Sequence, residues 1–135
     1  MEGRGQQQGP SGVVKVDSSE SWDYYVSQSK DQGCPLVAHF SASWCVPSIA
    51  MNPVFEDLRT EYPDVLFLAV DVDDVKEVAS KMEVKAMPTF LLMRDGAVVD
   101  KLVGANPEEI KRRVEDVRSG GGGWRIFLNS FACLV

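Results

Sequence analysis

Residues 35–48 read Pro35-Leu36-Val37-Ala38-His39-Phe40-Ser41-Ala42-Ser43-Trp44-Cys45-Val46-Pro47-Ser48. The first six form a near-continuous apolar run, bounded by Gly33 and by polar Ser41. Such a run reads as a central strand buried on both faces. Trp44 to Ser48 follow directly, and then Ile49, Met51, Phe55 and Leu58 recur at helical spacing. Pro53 falls inside that helical pattern and is expected to kink it. Cys45 therefore stands at a strand-to-helix turn.

Outward from this stretch the chain alternates. Val65 to Val70 (VLFLAV) is a second buried strand, and Val13 to Val16 a short first one. Between them in sequence lies a helix carrying Trp22, Tyr25, Val26 and Ser29, with Asp17 or Ser18 as its cap and Glu20 placed as in a capping box; Gly33 breaks it. Asp73 is expected to cap a helix running to about Met82. Thr89 to Met93 and Ala97 to Val103 flank Asp95-Gly96, a strong hairpin signal. Asn106-Pro107-Glu108-Glu109 starts a last helix with a cap, a proline in its first turn and acids at the positive dipole end; it ends near Ser119. The order β-α-β-α-β-α-β-β-α implies an α/β fold, a mixed central sheet with helices on both faces. In such sheets, sites form at the carboxyl ends of strands, which is where Trp44 to Ser48 fall.

The 135 residues suit one domain, residues 13–119, between a disordered tail (residues 1–12, rich in Gly and Gln) and a Gly-rich linker with an apolar tail (residues 120–135). The net charge of -6 argues against a nucleic-acid surface. Lys111, Arg112 and Arg113 are read as a basic run closing a helix, where cations suit the dipole. No apolar stretch approaches the ~20 residues of a membrane span. The N-terminus resembles neither a secretory signal nor a good transit peptide, so the expected address is the cytoplasm. Three cysteines are too few for a disulfide scaffold. There is no His/Cys cluster for zinc and no glycine-rich phosphate loop, and Asp71, Asp73 and Asp74 read as a cap and a solvated face; no cofactor is expected.

A cysteine at the start of a helix meets free N–H groups that favour its thiolate, the nucleophilic form. Pro47 suits the first helical turn, and Ser48 is close enough to donate a hydrogen bond to the sulfur. The alternative is that Cys45 is a buried inert thiol.

The run Phe40 to Ser48 resembles the thioredoxin motif F-x-A-x-W-C-G-P-C. Lys85-Ala86-Met87-Pro88-Thr89-Phe90 resembles the loop that carries a cis-proline in thioredoxins. Val70 to Asp73 and Lys101 to Asn106 also match, in the right order. The resemblance covers about residues 13 to 118, and it is most similar to plant h-type thioredoxins of the monocysteinic CxxS subgroup. It implies a thioredoxin fold, protein disulfides or thiols as substrates, and an apolar target groove of Trp44, Val46, Pro47, Met87, Pro88, Gly104 and Ala105. Ser48 replaces the second thiol, so a mixed disulfide formed at Cys45 cannot be resolved within the site; glutathione or another outside thiol would have to act. Val46 replaces the motif glycine, and His39 stands where thioredoxins carry a buried aspartate.

His39, the one histidine, has two readings: a core histidine hydrogen-bonded to backbone, or a general base or proton shuttle beneath Cys45. Cys34 begins the strand that leads to Cys45; at ~3.3 Å per residue the two are out of disulfide reach. Cys133 lies about fourteen residues beyond the last helix. A flexible chain of that length spans ~20 Å, so Cys133 could act as a resolving thiol, or the tail could dock elsewhere, be a lipid-modified or membrane-touching end, or be an added sequence with no role. Two functions follow as expectations: an isomerase-like thiol–disulfide exchanger acting through Cys45, Ser48 and His39, or a redox-inactive or trapping module that holds targets in its groove.

Overall fold

A computed structural model describes residues 12–119. The elements are β1 (Val14–Val16), α1 (Ser19–Gln32), β2 (Leu36–Ser41), α2 (Val46–Ala50), α3 (Asn52–Glu61), β3 (Leu66–Asp71), α4 (Lys76–Lys81), β4 (Thr89–Arg94), β5 (Ala97–Val103) and α5 (Pro107–Ser119). The five strands form one mixed sheet in the order β1-β3-β2-β4-β5. β1 and β2 run parallel to β3, while β4 is antiparallel to both β2 and β5.

Alternation along β2 and β3 divides the core in two. Leu36, Ala38, Phe40, Leu66, Leu68 and Val70 face Trp22 of α1 and Val78 of α4. Val37 and Phe67 face the other way, against Phe55 and Leu58 of α3 and Ile110, Val114 and Val117 of α5. Both faces being covered explains why these strands read as unbroken apolar runs. At the hairpin, Asp95 and Gly96 both take positive φ, 55° and 82°, the conformation a tight two-residue turn demands. β5 forms one edge of the sheet. Asp100 on it is held by Arg113 of α5, and the Lys101 ammonium donates to the Glu83 carbonyl.

Several local expectations need correction. Ser18 caps α1, and its partner in the capping box is Ser21 rather than Glu20. The helix after Cys45 is broken at Met51 into α2 and α3, consistent with Pro53 lacking an N–H to continue the ladder. Asp73 does not cap α4. Asp71 instead pins the preceding turn, its Oδ1 accepting from the N–H groups of Asp73 and Asp74. Lys111, Arg112 and Arg113 lie mid-helix in α5, where Glu61 and Glu109 neutralise them; they do not close the helix. Asn106 caps α5 as expected, accepting from the Glu109 N–H at 3.1 Å. Among the described residues no helix is long and apolar enough to cross a membrane.

Ile110 is fully buried and joins α5 to the sheet. Replacing it with Ala is expected to cost about 2–5 kcal/mol of unfolding free energy, from lost burial plus an unfilled cavity. Urea denaturation checks this: the midpoint should fall with the slope unchanged.

Candidate functional site

β2 ends at Ser41, and the chain turns through Ala42, Ser43 and Trp44 to Cys45, the residue preceding α2. Cys45 is the free cysteine of the described residues and is partly exposed. Its neighbours in sequence are open to solvent: Trp44 is 65% exposed, Val46 75%, and Pro47 is also exposed. The Cys45 Sγ donates to the Met87 carbonyl at 3.5 Å, which brings the loop before β4 against the thiol. The Met87–Pro88 peptide bond is cis. Gly104 donates its N–H to the Pro88 carbonyl at 2.9 Å, so the end of β5 is tied to the same place. Cys45, Trp44, Met87, Pro88 and Gly104 thus come together in space, Pro88 buried and Met87 half-buried, with Ala105 exposed beside Gly104.

Ser48 is placed differently from the expectation that it serves the sulfur. It is 0% exposed, and its Oγ accepts from the Ala42 N–H at 3.2 Å and contacts the Ala42 and Cys45 carbonyls at 3.1 and 2.9 Å. The hydroxyl is committed to backbone, locking the turn from β2 to α2, and its hydrogen bonds do not go to the Cys45 Sγ.

His39 is 1% exposed. Its ring stacks on Phe90 at 4.7 Å and meets Phe55 edge-on at 5.3 Å. Nε2 has no hydrogen-bond partner, so the expected backbone bond to this nitrogen is not made, and neither is one to Cys45. Burial pushes its pKa from 6.5 down to about 4, leaving a neutral imidazole at pH 7.

One site residue escaped the sequence reading. The Trp44 indole N–H donates to Asp73 Oδ2 at 2.8 Å, anchoring the exposed ring across the site. The acidic run Asp71-Val72-Asp73-Asp74 was the available signal, but it read equally well as a helix cap. Cys34 is buried two residues before β2, not at the head of the strand as the sequence suggested, and is not paired with Cys45. Cys133 lies outside the described residues. Among those residues no group of His, Cys, Asp or Glu could hold a metal ion.

The thioredoxin family model matches residues 13–116. Among curated proteins, the thioredoxin-like protein CXXS1 of Arabidopsis thaliana is 67% identical over 103 residues, 76% of this chain and 87% of the relative. The rice protein of the same name is 58% identical, covering 79% of this chain and 80% of its own length. Among solved structures, a thioredoxin h from Nicotiana alata superposes with a TM-score of 0.76 at 36% identity, covering 79% of this chain and 93% of that one. A poplar thioredoxin h mutant gives 0.75 at 39% identity, covering 78% and 81%.

The His39 environment generates a pH prediction. A base whose pKa is depressed by folding contributes stability that is complete above about 6.5 and is lost as pH falls toward about 4. Between pH 7 and pH 4 the loss from His39 is on the order of 3 kcal/mol. Denaturant unfolding across that range should show wild type losing more stability than His39→Phe, by about that amount.

Proposed function

The chain belongs to the thioredoxin family of thiol–disulfide redox proteins, and we propose that within it this protein is a one-thiol exchanger, isomerase-like on protein disulfides and poor at net reduction. The observation that carries this reading is the pairing of a free, accessible Cys45 with a buried Ser48 in the place of a second thiol.

The chemistry balances without a redox cofactor. The Cys45 thiolate attacks one sulfur of a target disulfide; the target S–S bond breaks, a Cys45–target disulfide forms, and the other target sulfur leaves as a thiolate that takes up a proton. No net oxidation has occurred. A different thiol of the same target can then attack the mixed disulfide, releasing Cys45 and leaving the target with a new pairing, which is isomerisation. Alternatively a small outside thiol such as glutathione attacks the target sulfur of the mixed disulfide, releasing the Cys45 thiolate and leaving a target–glutathione disulfide, which a second outside thiol cleaves to the reduced target thiol and an oxidised pair of the small thiol. A hydroxyl can do neither, so Ser48 contributes a rigid turn and no electrons. Trp44, Val46, Pro47, Met87, Pro88, Gly104 and Ala105 form the surface on which the target chain lies. Backbone groups around Pro88 suit pairing with an extended segment. The absence of a hydrogen bond from His39 Nε2 favours a packing role for that ring over direct proton transfer to Cys45.

A second reading is a trapping module that holds targets without turnover. The exposed apolar rim, Trp44, Val46 and Ile49, is what supports it, since such a patch binds whether or not chemistry follows. The rate of Cys45 alkylation across pH separates the two, a fast pH-dependent reaction supporting exchange and an unreactive thiol supporting the module.

Scrambled ribonuclease should regain activity with this protein, while insulin reduction coupled to a thioredoxin reductase should be near background. Ser48→Cys should raise insulin reduction at least tenfold. Efficient reductase-coupled turnover by the unchanged protein would overturn the role given to Ser48.

A further inference from the structure

The last turn of α5 lies at the end of the sheet away from Cys45. Arg118 Nε donates to Asp64, at 2.9 Å to Oδ1 and 2.7 Å to Oδ2, and Asp64 stands two residues before β3. Arg94, the last residue of β4, donates to the Val117 carbonyl. The Leu66 N–H donates to the Pro35 carbonyl at 2.9 Å, so the amino ends of β2 and β3 lie side by side. Cys34, next to Pro35, therefore shares this end of the molecule with Val117 and Arg118. Its backbone is held on both sides: its N–H donates to the Ser29 carbonyl at 3.1 Å, and its carbonyl accepts from the Ser29 hydroxyl at 2.7 Å. Cys45 lies past Ser41, at the opposite end of β2. The six residues of that strand, at ~3.3 Å each, put ~20 Å of sheet between the two cysteines.

Cys34 is not a free thiol: its sulfur is disulfide-bonded, whereas Cys45 is free. The sequence holds three cysteines, and the third, Cys133, lies outside the described residues. We propose that Cys34 and Cys133 are the two halves of a reversible intrachain disulfide, a redox modification site separate from Cys45 that fastens the C-terminal tail at the far end of the sheet. Chain length favours this pairing over one with Cys45. Fourteen residues lead from Ser119 to Cys133, beginning with Gly120 to Gly123. A Gly-led chain of that length reaches ~20 Å r.m.s.. Cys34 sits at the end of the sheet where that chain starts, and Cys45 is ~20 Å of strand further on, so the effective concentration of Cys133 is higher at Cys34. A Cys133 held there does not resolve a mixed disulfide at Cys45. The bond forms by exchange with a small disulfide such as oxidised glutathione. The Cys133 thiolate attacks one of its sulfurs, the small S–S bond breaks, a mixed disulfide forms and one small thiolate leaves. The Cys34 thiolate then attacks the Cys133 sulfur, the Cys34–Cys133 bond forms and the second small thiolate leaves. The chain has lost two electrons and two protons, and the small disulfide has taken them up as two thiols. Excess small thiol reverses both steps.

The experiment uses the full chain, reduced, freed of reductant and incubated at low protein concentration with oxidised glutathione. Non-reducing peptide mapping of the monomer is expected to yield a Cys34–Cys133 fragment. The same chain carrying Cys45→Ser should give that fragment too, with a mass lower by two hydrogens and no glutathione adduct. Its formation there is independent of exchange at Cys45, so failure of the exchanger reading and failure of this pairing are told apart. Oxidation should also raise the urea midpoint of Cys45→Ser, because the bond closes a ring around residues 34–133 and restricts the unfolded chain. Replacing the buried Cys34 can disturb folding, so the deciding variant is Cys133→Ser, on the tail. In it Cys34 should remain a thiol that is alkylated on unfolding, and the oxidation-dependent rise in midpoint should vanish. A Cys45–Cys133 fragment, disulfide-linked dimers in place of the monomer, or glutathione on Cys133 with Cys34 still a thiol would each overturn the proposal.

Discussion

Strand β2 is hydrogen-bonded along both edges, parallel to β3 on one side and antiparallel to β4 on the other, and it is covered by helices on both faces. A strand held in this way has no freedom to slide, because a one-residue slip would exchange Phe40 and His39 between the two halves of the core. Its carboxyl end is consequently a fixed point. The turn that leaves it is fixed too, by Ser48 gripping Ala42 through both its N–H and its carbonyl. Cys45 inherits its position from these two restraints, and the thiol-to-Met87 contact then sets the loop before β4 relative to it. Placement of the Cys45 sulfur is thus a property of the sheet interior rather than of the surface loop that carries it.

The parts of this arrangement that depend on local pattern were legible in the chain. Residues 35–40 and 65–70 announce strands covered on both faces, Asp95-Gly96 announces the hairpin, and Asn106-Pro107 announces the start of α5. Each signal is carried by neighbouring residues whose preference agrees with the tertiary outcome. The misread parts depend on which of several equivalent polar groups happens to reach a partner. Ser21 displaces Glu20 in the capping box because a hydroxyl at that position can meet the Ser18 and Asp17 N–H groups. Asp71 displaces Asp73 as the residue that organises a turn, and frees Asp73 to hold Trp44. No periodicity distinguishes two aspartates two residues apart.

The same limit applies at the site. That Cys45 would stand at the head of a helix follows from the strand and the proline beside it. That Ser48 would turn its hydroxyl toward Ala42 instead of the sulfur depends on how closely the chain doubles back over six residues. Sequence spacing puts both acceptors within range and does not choose between them. His39 is a third case. Its burial follows from its place in an apolar strand, whereas the missing partner on Nε2 is set by the residues across the sheet and on α3, which come from three other segments of the chain.

The exposed edge of the sheet has a consequence of its own. β5 carries Val98, Val99 and Val103 on its surface, a composition that invites another extended chain to add itself alongside. Asp100 and Lys101 interrupt those valines, and both are tethered, to Arg113 and to the Glu83 carbonyl. An incoming strand would have to strip these charges of water and of their partners while gaining only the outer row of backbone bonds. The charges act as gatekeepers against self-templated aggregation on a β-branched edge that no other described strand covers.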